Sequence, residues 1–278
     1  MRLGSVEHLN LFCRMLLDTH DPYRPNIMEW PTLEKEARDR LVGLPIWDIA
    51  VQTEGRARLN VATYATGVDD PLLKQAIDLN AFEEGRHQMV LSHLVRAYGI
   101  ELAPEPSCVT PKDPEWAFMV TGFSECIDSF FAFGLFDVAK RTGFFPKHLV
   151  DTFEPVIQEE ARHILFFVNW AAWHRRNMRW WRRPFFALKV FSVWLFLIWE
   201  RIGAARDLGN GVQDNNFTVT GAHQLGAEID VRELVRVCLS ENERRMSRFD
   251  RRLPRPATVP ALARLALRFM RADRKNKN

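Results

Sequence analysis

Two pentapeptides in the chain could do chemistry together: Glu83-Glu84-Gly85-Arg86-His87 and Glu159-Glu160-Ala161-Arg162-His163, the second 76 residues after the first. In each, the second glutamate and the histidine are three residues apart, so on a helix both project from one side and can share a metal ion. A lone glutamate precedes each copy, Glu54 and Glu125, giving the pattern E...ExxH twice. Mixed carboxylate and imidazole donors suit iron or manganese and leave positions open for a further ligand such as dioxygen. A single ExxH arises readily by chance on a helix; two copies, each with an upstream glutamate on an apolar face, form a specific signal.

Several carboxylates buried at one level would repel one another and cost several kcal/mol each in lost hydration unless a cation compensated them. The competing expectation for each glutamate is a helix-end residue paired with an arginine, for which Arg56, Arg86 and Arg162 are available. Glu83 and Glu159 immediately precede the motif glutamates, face elsewhere, and are expected to be solvent-facing or paired. Arg86 and Arg162 either orient a carboxylate from behind or are surface charge. Asp128, one turn after Glu125, is an outer candidate or a water ligand. His8, His20, His93, His148, His174 and His223 lie outside the motif and read as ordinary polar residues.

The elements that must position these groups are helical, and no run of alternating β-branched residues suggests a strand. Periodicity predicts a helix over Ile46 to Ala65. A second should start at Pro71 behind Asp70 as N-cap and end at about Tyr98, before Gly99. A Pro-rich link from Ala103 to Pro114 follows, then a helix from about Glu115 to Thr142. After Gly143 and Pro146 a fourth helical region reaches about Trp181, with Pro155 kinking or restarting it. Glu54 and Glu84 lie equidistant from Asp69, and Glu125 and Glu160 from the Thr142/Gly143 turn, so antiparallel pairing sets each lone glutamate level with its ExxH partner. The link from Gly99 to Pro114, at about 3.3 Å per residue, could span roughly 50 Å and so run the length of a bundle.

On these residues, the stretch from 46 to 181 resembles the ferritin-like di-iron carboxylate superfamily. The resemblance implies an all-α, ferritin-like four-helix bundle with one long crossover, plus extra N- and C-terminal helices. It implies metal ligation by Glu54, Glu84, His87, Glu125, Glu160 and His163, with Glu84 and Glu160 bridging, Glu54 and Glu125 terminal, and one histidine on each metal. Two iron ions (or a Mn/Fe pair) with O2 as co-substrate, and a non-haem oxidase or oxygenase activity on a small organic molecule fed by an external electron donor, follow from the same resemblance. The alternative within it is a ferroxidase or iron-handling protein without organic substrate. The C-x-x-C iron site of rubrerythrin-like members is missing. Tyr64 lies about 15 Å along a helix from Glu54, far for a radical tyrosine. Val156 stands where arylamine oxygenases carry an extra histidine.

The chain has 278 residues, 47% hydrophobic and 26% charged, with net charge +3, which excludes a disordered or collagen-like polymer. The reading divides it into an N-terminal extension (1–45), the bundle (46–183) and a C-terminal extension (184–278). Four scattered cysteines exclude a zinc ribbon or disulfide scaffold, and the N-terminus does not read as a signal peptide, so a cytoplasmic protein is expected. From Glu241 onward ten arginines and two lysines face four acids, a basic end read first as a solvated tail. Residues 175–183, RRNMRWWRR, lead into the apolar run Phe185 to Trp199, too short to span a bilayer. A buried helix packed on the bundle is the first expectation for that run. An interfacial helix giving peripheral membrane contact via 175–199 is the second. Either places apolar aromatic surface near the site and points to an apolar substrate. No nucleic-acid partner is expected, and a homodimer is compatible with the reading.

Overall fold

A computed structural model describes residues 1–104, 109–208 and 230–270, apart from the side chains at 26 and 204–208. The Gly/Asn loop expected at 209–216, Cys108, His223 and the end of the basic tail lie outside the described residues. Among the described residues there are helices and no strands: α1 (Val6–Asp18), α2 (Lys35–Val42), α3 (Trp47–Ala65), α4 (Pro71–Tyr98), α5 (Pro114–Thr142), α6 (Lys147–Thr152), α7 (Glu154–Asn177), α8 (Arg183–Leu208), α9 (Val231–Met246) and α10 (Thr258–Phe269).

The boundaries follow from capping chemistry. The Asp70 carboxylate accepts from the Leu73 amide at 2.9 Å and Pro71 opens α4, while Gly99 closes it in the left-handed region. Asp113 caps α5 through the Trp116 amide, and Gly143 ends it at φ +68°. Pro155 restarts the fourth region rather than kinking it: α6 ends at Thr152 and α7 begins at Glu154 with Pro155 in its first turn.

Helix α3 pairs with α4 and with α5, and α7 with α5 and α4, closing a four-helix bundle. The end of α4 and the start of α5 lie at opposite ends of α3. At one end the Ala103 amide is held by Asp48 at the start of α3, and at the other Phe118 stacks on Tyr64 at the end of α3. One core joins Phe12, Val61, Ile77, Phe133 and Phe166, and a second at the other end joins Leu41, Trp47, Leu94 and Leu149. Helix α5 is, among the described residues, the one helix long and apolar enough to cross a membrane by length and composition, and half of that window is buried in the bundle.

Outside the bundle, α1 lies on α7 and α4, and α9 crosses α5 where Gly134 lets the backbones meet. The expectation of a buried helix for Phe185 to Trp199 is only half met. Phe186, Val193 and Leu197 pack inward and α8 lies along α5, but the opposite face, with Phe185 and Trp199 each at least 70% exposed, has no cover among the described residues.

Candidate metal centre

The helical three-residue spacing does what geometry requires of it. Glu84 and His87 from α4 meet Glu160 and His163 from α7, with one donor atom from each within 4.8 Å of all the others. The two imidazoles lie with ring centres 5.5 Å apart. His87 Nδ1 is 3.1 Å from Glu160 Oε1 and 3.6 Å from Glu54 Oε2, and His163 Nδ1 is 2.8 Å from Glu84 Oε1. Although so close to carboxylate oxygens, both Nδ1 atoms are buried and aligned with no hydrogen-bond partner, as is Glu125 Oε1. Carboxylate and imidazole donors that crowd together at ion-pair distance without an aligned hydrogen bond are a set that a shared cation would satisfy. Glu54 from α3 and Glu125 from α5 stand outside this group of four but in the wall of the cavity that Glu84, His87 and Glu160 also line. Asn80 Nδ2 donates to Glu84 Oε1 and Ser129 Oγ to Glu160 Oε2, steadying one carboxylate from each motif.

Glu83 and Glu159, expected to face solvent or to be paired, are fully buried and paired. The pairing is crossed between the helices. His163 Nε2 of α7 donates to Glu83 Oε2 of α4 at 2.7 Å, and His87 Nε2 of α4 to Glu159 Oε2 of α7 at 2.9 Å. Each acid is also met by the arginine of the opposite motif, Arg162 donating to Glu83 and Arg86 to Glu159. Arg86 and Arg162 are therefore buried partners and not surface charge.

The N-terminal segment seals this outer layer. Arg86 donates to the carbonyls of Asp21 and Tyr23, Arg162 to the carbonyl of Leu16 and the hydroxyl of Thr19, and Tyr23 Oη to Glu159. His20, read as an ordinary polar residue, bonds Glu83 Oε1 at 2.5 Å. Nothing in the spacing points to His20 or Tyr23. The signal for Glu83 and Glu159 was present: the motif repeats as Glu-Glu-x-Arg-His, and two identical residues beyond the ExxH glutamate and histidine had work to explain. Asp128 is drawn away instead, accepting from Arg201 and Ser124.

Charge is unevenly balanced between the layers. Outside, Glu83 and Glu159 match Arg86 and Arg162. Inside stand four carboxylates and two imidazoles with no cationic side chain, a charge that two divalent ions would match. Without an ion the cluster must take protons. Burial pushes the Glu54 carboxyl up to about 8 against the pull of His87. Burial and then the charges of Glu84 and Glu160 raise Glu125 well above the carboxylate range. Burial depresses both imidazoles, but their carboxylate partners outweigh it and hold them well above the ordinary value. Burial likewise opposes the ionised form of Glu160 and Glu83, yet His87 and His163 respectively keep them low.

Beside the cluster lies a cavity of about 360 Å³ whose walls are largely apolar. Its lining includes the apolar Leu41, Leu44, Phe144 and Leu149 and the polar Ser124, Asp128, Arg56 and Glu200. Comparison with protein-family profiles, curated proteins and solved structures finds no match for the chain.

Proposed function

We propose that the chain is a non-haem di-iron protein of the ferritin-like carboxylate kind that uses O2 to oxidise a small, apolar organic molecule. The observation that carries the reading is the convergence of Glu84, His87, Glu160 and His163, with two buried Nδ1 atoms that make no aligned hydrogen bond, beside an apolar cavity that the first three of them line. Glu54, Glu84, His87, Glu125, Glu160 and His163 would hold the two metals. Bound there, an iron pair supplies the electrons that activate O2, and an external donor restores them.

The chain's own residues have defined tasks. Glu83 and Glu159 accept the Nε2 protons and so keep the Nδ1 lone pairs turned toward the metals. Arg86 and Arg162 neutralise those acids, and the N-terminal segment keeps water from them. The cavity binds an apolar molecule next to the four carboxylates and excludes bulk water.

The test is elemental analysis after anaerobic reconstitution with ferrous iron, for wild type, Glu84→Ala and Glu160→Ala. About two irons per chain, lost in both variants, is the expected result, followed by O2 uptake that rises with an apolar organic substrate and a reductant. Iron oxidation that never depends on an organic molecule would favour iron handling. No stoichiometric metal in the wild type would end the metal reading.

A further inference from the structure

Helix α8 is amphipathic in the sense opposite to a helix that faces water. Between Pro184 and Gly203 it carries three charged residues, Lys189, Glu200 and Arg201. All three turn to the protein: Lys189 bonds Asp113 and Glu115, Arg201 donates to Asp128 at 2.8 Å, and Glu200 lines the cavity. Even the Ser192 hydroxyl is spent on the Leu188 carbonyl of its own helix. The outward face runs from Phe185 through Leu188, Phe191, Leu195 and Trp199 to Ile202, each about half exposed or more. Steps of three and four residues make this one straight stripe, roughly 25 Å long at the helical rise. A continuous apolar stripe of that length on a protein surface marks a place where something else sits.

The end of the stripe says what. Arg175, Arg179 and Arg182 are exposed, and among the described residues none of their side chains has a hydrogen bond or ion pair. Between them stand Trp180, 78% exposed, and Trp181. Cationic and indole side chains at the border of an apolar helix face match the passage from lipid headgroup to acyl chain. Anionic headgroups supply the partners that these arginines lack among the described residues, which a second copy of the apolar stripe would not. We propose that α8 and the Arg/Trp turn before it form a docking surface for an anionic lipid bilayer, the helix lying in the plane of the interface.

Docking has a consequence for the cavity, one that rests on the oxidase reading as the docking itself does not. Glu200 of α8 shares the cavity wall with the exposed Thr53 and Arg56. The bilayer would thus lie against the outer face of a helix whose inner face contributes to the cavity wall, and an apolar molecule dissolved in lipid would be held close to the cavity.

Flotation of the purified full-length protein with vesicles of phosphatidylcholine, with and without phosphatidylserine, tests the docking. The wild type should float with the serine-containing vesicles, lose binding as salt rises, and shift its tryptophan emission to the blue. Leu195→Glu should lower partition on the order of 10-fold or more, the cost of removing one buried leucine from an interface. Arg179→Ala with Arg182→Ala should weaken binding to anionic vesicles by about fivefold per arginine and leave neutral vesicles unaffected. Circular dichroism and metal content of the variants, all at exposed positions, should match wild type, so that failure here is separable from failure of the metal reading. Absence of flotation with either vesicle, equal flotation of Leu195→Glu, or a solution dimer that Leu195→Glu dissociates without any vesicle affinity would each overturn the proposal.

Discussion

Two acids hidden behind two imidazoles set the character of this site at the level of single residues. Glu159→Gln preserves shape but removes the charge that faces both His87 and the buried Arg86. Metal affinity should fall about 10- to 100-fold, the usual cost of losing a carboxylate behind a ligand histidine. Leaving Arg86 without its partner should cost about 3–5 kcal/mol of stability. Metal titration and urea unfolding of Glu159→Gln and Glu83→Gln check both numbers, and affinities equal to wild type in both would remove the bracing role. By contrast, Glu115→Gln disturbs a partly exposed pair with His174 and Lys189 and should change stability by about 1 kcal/mol or less. Glu84, His87, Glu160 and His163 were legible because a three-residue step on a helix fixes a shared direction, whereas Glu54 and Glu125 were singled out by their distance from the turns. Glu83 and Glu159 were half legible. A neighbour on the helix points about 100° away, and only tertiary packing decides whether that direction holds water or another helix.

Among the elements, α5 is the piece on which the others are laid, and its glycines record how closely. A Cβ at Gly134 would come within 2.9 Å of both the Cα and the amide nitrogen of Cys238, backbone atoms that no rotamer change can move. Gly134→Ala should therefore push α9 off α5 and destabilise by about 1–3 kcal/mol, read from thermal melts, while metal content per folded chain stays at the wild-type level. A variant as stable as wild type would show that α9 can slide without cost. Filling the cavity is a separate test of α5. Ala132→Phe should leave metal content intact and reduce O2 uptake with bulky apolar substrates at least about 10-fold, the scale of discrimination available to an apolar pocket. Most helix limits were readable because proline, aspartate and glycine act locally. The exposed face of α8 was not, because composition alone cannot say which side of an apolar helix meets the bundle.

For the molecule as a whole, the proposed metals would compete with protons for one set of groups. In the metal-free protein Glu54 titrates near 8 instead of its ordinary 4.5, so the folded state holds a proton that the unfolded chain has released, and stability falls as pH rises across that window. The imidazoles act in the same direction. Their raised values give stability that is complete below the unfolded value of 6.5 and is lost as pH rises through the folded one. Glu83 and Glu160, held low, give stability present above the ordinary carboxylate value and lost only below it. Cations that replace the protons reverse the dependence, because their binding strengthens as protons leave. The melting temperatures of loaded and metal-free protein should therefore diverge steadily from about pH 5 to about pH 9; a constant gap would contradict the linkage. The bundle itself was foreseeable from turn-symmetric spacing, whereas the N-terminal segment closing over Arg86 and Arg162 was not, since its contacts are mostly backbone carbonyls that any sequence offers.

The crossed bonds make the duplicated motif indivisible. Each hairpin lends its acid to the imidazole of the other and borrows one back, so neither half contains a finished half-site. A chain cut between α4 and α5 would yield two fragments whose histidines lack their braces, and metal binding would return only when the fragments recombine.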